Sequence, residues 1–286
     1  MVAISNLNAA SRALRQVTRF FRRKKLRIFE VAWALSIVAV AILGPYVAPF
    51  DPRAVNLPEA LQPPSREHLF GTDDMGRDLL SRVLAGAPLS IAASVIIVLS
   101  AVVIGIALGL TAGFYGGAID MLAMRLADIF LSFPFLVLAM ALAAALGPSL
   151  SHAVTALALI WWPPYARLIR AQVLVVREKD YVLAAKAVGA GNLRVMLLHI
   201  LPSSVGPALA RMTTDLGYAI LATSSLGFVG LGAQAPTPEW GAIISQGRTY
   251  FLDSWWYATF AGLAISFAVM GFAFLGDEIH EAYAHL

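Results

Sequence analysis

The densest group of chemically capable side chains in this sequence is His68, Asp73, Asp74, Arg77 and Asp78, followed closely by Ser81 and Arg82. Clustered carboxylates can hold a metal or share a proton. Interleaved arginines already satisfy these acids, however, so the expected chemistry is a web of ion pairs and backbone hydrogen bonds that stiffens a loop. Two more acids lie inside apolar stretches, Asp128 three residues after Arg125 and Asp215 four residues after Arg211. Those spacings put each pair on one helical face, which predicts structural ion pairs. Trp161-Trp162-Pro163-Pro164-Tyr165 is a different kind of signal, because two adjacent prolines must bend or unwind a helix, and such breaks line cavities or moving parts. Trp161, Trp162, Arg211 and Asp215 are therefore candidates for a path through the protein, with packing or interfacial roles as the alternative for the two tryptophans. Catalysis has little support. There is no Cys, no G-x-S-x-G, no H-E-x-x-H and no Gly-Lys pair, so a hydrolase built on Asp128 and Asp215 is a remote reading and a phosphate-binding loop is absent.

The elements that must position these residues are set by composition. Of 286 residues, 59% are hydrophobic and 13% charged, and the mean hydropathy is +0.75. That is far more apolar than a soluble domain, so an all-α integral membrane protein is expected. Zero cysteines exclude disulfides and thiolate metal sites. The net charge of +4 does not point to nucleic acid, because eight Lys/Arg and no acid fall between Arg12 and Arg27, next to the first apolar window. This predicts a cytoplasmic segment 1–27 under the positive-inside rule.

Six windows are long and apolar enough to span a bilayer. The first runs over residues 28–47 and leads to a loop whose six acids and four arginines place it outside. The second covers 89–113 and is rich in Ser, Ala and Gly, which favours close helix packing in lipid. The third ends near Leu146, the fourth carries the Trp-Pro break, the fifth starts near Val205, and the sixth covers 255–275, closed by Gly276-Asp277. Arg167, Arg170, Arg177 and Lys179 repeat the cytoplasmic signal ahead of a polar island, Tyr181–Pro202. In that island a short helix over Ala184–Val188 should stop at Gly189 and Gly191, and a second should run from Asn192 to Ile200. Pro202 suits the first turn of the next span.

Three blocks resemble one family. Leu183-Ala184-Ala185, Gly189 and His199-Ile200-Leu201-Pro202 are similar to the Glu-Ala-Ala loop of ABC-importer permeases. The stretch from His68 through Gly71, Thr72, Asp73, Gly76, Arg77 and Asp78 to Arg82 resembles the segment ahead of the second span in C-type permeases of peptide and nickel importers. Leu226–Gly232 with Ala235–Gly241 resembles a third segment of the same permeases. Departures are Leu183 for the usual Glu, Pro88 for Arg, Thr223 for Glu and Gly227 for Ser, and the tail lacks the family's basic-acidic ending; the resemblance implies that Thr223, in place of that Glu, is a fifth candidate for the path.

The resemblance implies the type I importer permease fold with six transmembrane helices and a cytoplasmic coupling loop over 177–202. It implies an external motif within 28–87, a core permease domain over 88–276 and a cytoplasmic tail over 277–286. Tyr181, Leu183, Ala184, Ala185, Gly189, Leu201 and Pro202 would then engage an ATPase. The implied partners are a B-type permease in a heterodimer, two ATP-binding subunits that hold the ATP and Mg, and an external solute-binding protein. The chain itself would carry no cofactor or metal and would not be an enzyme. It would sit in a bacterial inner membrane with both termini cytoplasmic, and would import peptides or, alternatively, a nickel chelate, glutathione or an opine-like molecule.

Overall fold

The computed structural model describes residue 30 and residues 32–284, the last eight by backbone alone, so the basic segment 1–27 lies outside the described residues. No strand occurs among the described residues; the architecture is helical, with one isolated bridge between Thr72 and Asp78. The first apolar helix, α1 (Ala32–Val47), is followed by an irregular loop over residues 51–78. Then comes the longest element, α2 (Leu79–Tyr115).

Helix α2 starts ten residues before the expected position at Leu89. The reason is local: the Asp78 carboxylate accepts the Ser81 amide at 2.8 Å as an N-cap, and Arg82 is neutralised in place, so polar residues occupy the first turns without being exposed to lipid. Pro88 sits inside this helix and leaves the Leu84 carbonyl without its usual helical partner. Gly44 of α1 lies against that carbonyl, where a Cβ would come within 2.6 Å of the oxygen.

The small residues of α2 have the packing role their spacing suggested. Helix α6 (Pro163–Val176) lies along α2, and added Cβ atoms would meet Tyr165 Cβ from Gly105 at 2.3 Å, the Ala166 oxygen from Gly109 at 2.4 Å and Val173 from Gly113 at 2.8 Å. Lipid is as apolar as a leucine side chain, so such close backbone approach is what holds helices together in a bilayer.

The third and fourth windows are each broken. Helices α3 (Gly117–Ser132) and α4 (Phe135–Leu146) meet at 90°, because Phe133, preceding Pro134, takes an extended conformation with ψ 145. The third window ends at Leu146, as expected, but it is bent within its length. Helix α5 (Leu150–Ile160) ends at Trp161, and α6 begins with Pro163 and Pro164 in its first turn, as the double proline required. Asp128 pairs with Arg167 of α6 rather than with Arg125, and Arg170 forms a two-pronged pair with Asp120. The same-helix pair expected at Asp128 therefore gives way to a cross-helix one.

After α7 (Asp180–Ala187) comes α8 (Asn192–Ser204), which widens to π-helical turns over Val195–Ile200. A 56° bend at Val205 separates it from α9 (Gly206–Phe228). Pro202 thus lies in the end of α8 and not at the start of the span, a correction; Gly206-Pro207 opens α9 instead. Helix α10 (Trp240–Gly247) precedes α11 (Trp256–Ala284), which continues through Gly276-Asp277 where closure was expected.

Helices α2 and α11 are long and apolar enough to cross a membrane, and the bent pairs α3/α4 and α8/α9 qualify as broken spans. Counting α9 as the crossing part of α8/α9 and adding α1 and the broken α5/α6, the described helices match the six expected passes. One core joins α2, α4, α5, α6 and α9 to the α7–α8 region; a second joins α1, the start of α2, α10 and α11.

Candidate functional site

Two surfaces and one buried cluster contain the predicted residues. The loop over residues 180–202 is anchored from within, since Val182, Val195, Met196 and Ile200 are buried in the larger core beside Val173 and Val176. The Tyr181 hydroxyl donates to Ser203 Oγ at 3.0 Å, tying α7 to the end of α8. Lys186 lies 5.3 Å from the centre of the Phe114 ring at the end of α2. Its outer face is apolar and uncovered: Leu183, Val188, Leu193, Leu197 and Leu198 are all exposed, Val188 at 86%. Ala184 and Pro202 are exposed, and Ala185 and Leu201 are partly so. Gly189 ends α7 with φ +85, a left-handed conformation that glycine adopts without steric conflict, and no atom stands within 4 Å of where its Cβ would be.

The second surface is a cavity of about 490 Å³. Along α9 it is lined by Arg211, Asp215, Tyr218, Ala222 and Ser225, steps of four, three, four and three residues that keep to one helical face. Opposite stand Phe130, Phe133 and Phe135 at the α3/α4 break and Trp161 and Pro164 at the α5/α6 break. Both interruptions predicted or found in the helices therefore open onto one space. The Asp215 Oδ2 accepts from Arg211 Nε and from Trp161 Nε1, each at 3.2 Å. A second cavity of about 460 Å³ shares Leu136, Leu221 and Ser225 with the first and continues to Phe228 and Val229.

Of the five path candidates, Trp161, Arg211 and Asp215 come together here and two do not. Trp162 packs against Ala127, Ala166 and Phe130, facing away. Thr223 is 1% exposed, and its hydroxyl donates to the Ala219 oxygen at 2.8 Å. Twelve residues beyond Arg211, it sits roughly 120° around the helix from the cavity face. Sequence reasoning missed Tyr218, Ser225 and the three phenylalanines; the seven-residue spacing from Arg211 to Tyr218 to Ser225 was the available signal.

The third group is the motif in the 51–78 loop, and it is sealed. Asp73 accepts the Met75 and Arg77 amides at 2.9 Å and Arg77 Nε at 2.6 Å, and stands 3.2 Å from Arg82 Nε. Thr72 accepts from the Gln62 amide and donates to the Glu59 oxygen. Gly71 and Gly76 turn with φ +76 and +71. From α11, Trp256 donates to the Thr72 oxygen at 3.3 Å and the Tyr257 hydroxyl donates to Asp74 at 2.8 Å. Asp78 pairs with His68 Nδ1 at 2.9 Å and not with an arginine, while His68 Nε2 faces Glu59 at 3.4 Å. Burial lowers the histidine's proton affinity, but the hydrogen bonds to Asp78 and Glu59 outweigh it, and its pKa lies above the ordinary value.

Residues 105–284 match the family described as binding-protein-dependent transport system inner membrane component, and residues 13–64 match the N-terminal TM domain of oligopeptide transport permease C. The chain is 49% identical over 245 residues to the probable D,D-dipeptide transport system permease protein DdpC of Escherichia coli, covering 86% of this chain and 82% of that one. It is 41% identical to the dipeptide transport system permease protein DppC of Alkalihalophilus pseudofirmus, over 94% of this chain and 88% of the relative. Among solved structures, the MetNI methionine ABC transporter in inward-facing conformations superposes with a TM-score of 0.56 at 20% identity, covering 70% of this chain and 95% of that one. At that identity the likeness concerns the fold.

Proposed function

The chain belongs to the binding-protein-dependent transport system inner membrane components, and from that premise we propose how its surfaces divide the work of peptide import. It is a permease subunit of a peptide ABC importer, with ATP hydrolysis in separate subunits, and so is not itself an enzyme. Its partners are a second, B-type permease, two ATP-binding subunits that carry ATP and Mg, and an external solute-binding protein. The 180–202 loop docks on an ATP-binding subunit, and the cavity along α9 is this subunit's share of the path.

One observation carries the path: the two cavities share Leu136, Leu221 and Ser225 and together extend along α9 from Arg211 to its C-terminal cap, Val229. At 1.5 Å per residue that distance is roughly 27 Å, close to the thickness of a bilayer's hydrocarbon core. The docking role rests on the exposed leucines and valine of a loop whose inner residues are fully packed. In a loop that lies outside the bilayer, exposed apolar side chains of this kind mark a protein interface rather than lipid contact.

Gly189→Trp tests the docking role. The substituted subunit should insert and assemble, because no neighbour within the chain occupies the space, yet binding-protein-stimulated ATP hydrolysis should fall by about tenfold or more. Normal stimulated hydrolysis and uptake would remove the docking role. Orientation is the second element of the reading: both termini and the 177–202 loop face the cytoplasm, and the 51–86 segment faces outside, from the distribution of Lys and Arg. The native chain has no cysteine, so an impermeant thiol reagent added to intact cells should label a cysteine at Glu67 and miss one at Ala190. The opposite pattern inverts the topology.

A further inference from the structure

We infer that Arg211 is a carboxylate-reading group in the cavity, which selects cargo bearing a free carboxylate next to an apolar side chain. The inference rests on the path reading above. Arg211 and Asp215 are the charged residues that line this cavity, and their environments differ. The Asp215 side chain is 7% exposed and its Oδ2 already accepts from Arg211 Nε and Trp161 Nε1, whereas the Arg211 side chain is 44% exposed. Nε of the guanidinium carries the hydrogen bond to Asp215, the Tyr165 hydroxyl interacts with the same guanidinium, and the two terminal amino groups supply its remaining donors. They form the edge of the planar fork that matches a carboxylate with two parallel hydrogen bonds.

Asp215 and the Tyr165 ring, whose centre is 5.6 Å from the guanidinium carbon, fix the orientation of that fork. A lysine in its place would offer a mobile point charge instead. Around the fork the wall is aromatic and aliphatic, with Phe130, Phe133, Phe135 and Leu136 opposite α9. A cation held against such a wall suits a ligand with one anionic end and one apolar end. A short peptide's C-terminal residue has that form.

The test uses the purified permease–ATPase complex without its binding protein, so that selectivity in the binding protein does not enter. Radiolabelled alanyl-phenylalanine and its C-terminal amide are each equilibrated with the complex, and the ratio of their affinities is the readout. Removing Arg211 alone would strand the buried Asp215 carboxylate, so the variant is the neutral pair Arg211→Gln with Asp215→Asn. Wild type should hold the acid about tenfold more tightly than the amide, and the double variant should bring the ratio close to one. Arg211→Lys should retain part of the preference. An unchanged ratio in the double variant overturns the assignment to Arg211. A ratio of one in wild type, as a lipid headgroup seated on the guanidinium would produce, overturns it as well. If wild type binds neither probe and, with its binding protein restored, imports neither, the peptide reading fails first and this inference falls with it.

Discussion

A side chain added at Gly76 would meet the Asn56 oxygen at 1.8 Å, and one at Gly71 would meet the Gln62 oxygen at 2.5 Å, whereas around Gly189 and Gly191 nothing lies within 4 Å. The two loops have comparable motifs of glycine, small residues and charge, and both glycines 76 and 189 have positive φ. They differ in where the constraint comes from. In the 51–78 loop every motif residue is claimed by the chain itself: Asp73 and Asp78 are buried and multiply bonded, and α11 closes over them through Trp256 and Tyr257. The 180–202 loop is anchored on its inner side and bare on its outer side. A motif satisfied internally supports the fold, while the uncovered one is the surface proposed above for docking.

The largest effect expected of this contrast is on stability. Gly76→Ala must displace the Asn56 carbonyl and strain a backbone at φ +71, so it should cost at least about 3 kcal/mol. Gly189→Ala carries only the strain of a left-handed residue, about 1–2 kcal/mol. Thermal unfolding of the purified complexes ranks them. Equal melting shifts would break the comparison, and a larger shift at Gly189 would reverse it.

The smallest expected effect is pH dependence of the 51–78 loop. His68 has Asp78 on one ring nitrogen, Glu59 on the other and the Phe50 ring 4.9 Å away, and both carboxylates accept only if the imidazole is doubly protonated. Because the folded pKa is raised, this contribution is complete below the unfolded value of 6.5 and is lost as pH rises through the folded value. Amide exchange in the loop, corrected for intrinsic rate, should therefore be slower at about pH 6 than at about pH 8.5. His68→Gln should flatten that dependence. A pH-independent loop would mean the two carboxylates do not hold a proton there.

Much of the architecture was legible because its causes are local in the chain. Apolar length announces spans, Pro163-Pro164 announces a break, Gly189 announces a helix end, and the i,i+4 spacing of Arg211 and Asp215 announces a pair. The misreadings share one cause. Hydropathy placed the start of α2 at Leu89, since it counts Asp78, Ser81 and Arg82 as polar and has no knowledge that partners neutralise them. Asp128 was assigned to the nearest arginine in sequence, but α6 brings a different one, Arg167, closer in space.

Sequence by itself determined the membrane class, the helical spans, the loop motifs and the family they resemble, because burial in lipid and backbone capping depend on residues a few positions apart. Tertiary structure alone decided which side chains share the cavity. Trp161 and Trp162 are neighbours in sequence yet face opposite ways, and Thr223 is turned from the face that holds Tyr218 and Ser225. Which face of a helix borders an open space depends on how the α3/α4 and α5/α6 breaks fold back against α9, and that is set by packing between segments some fifty residues or more apart, such as Trp161 and Asp215.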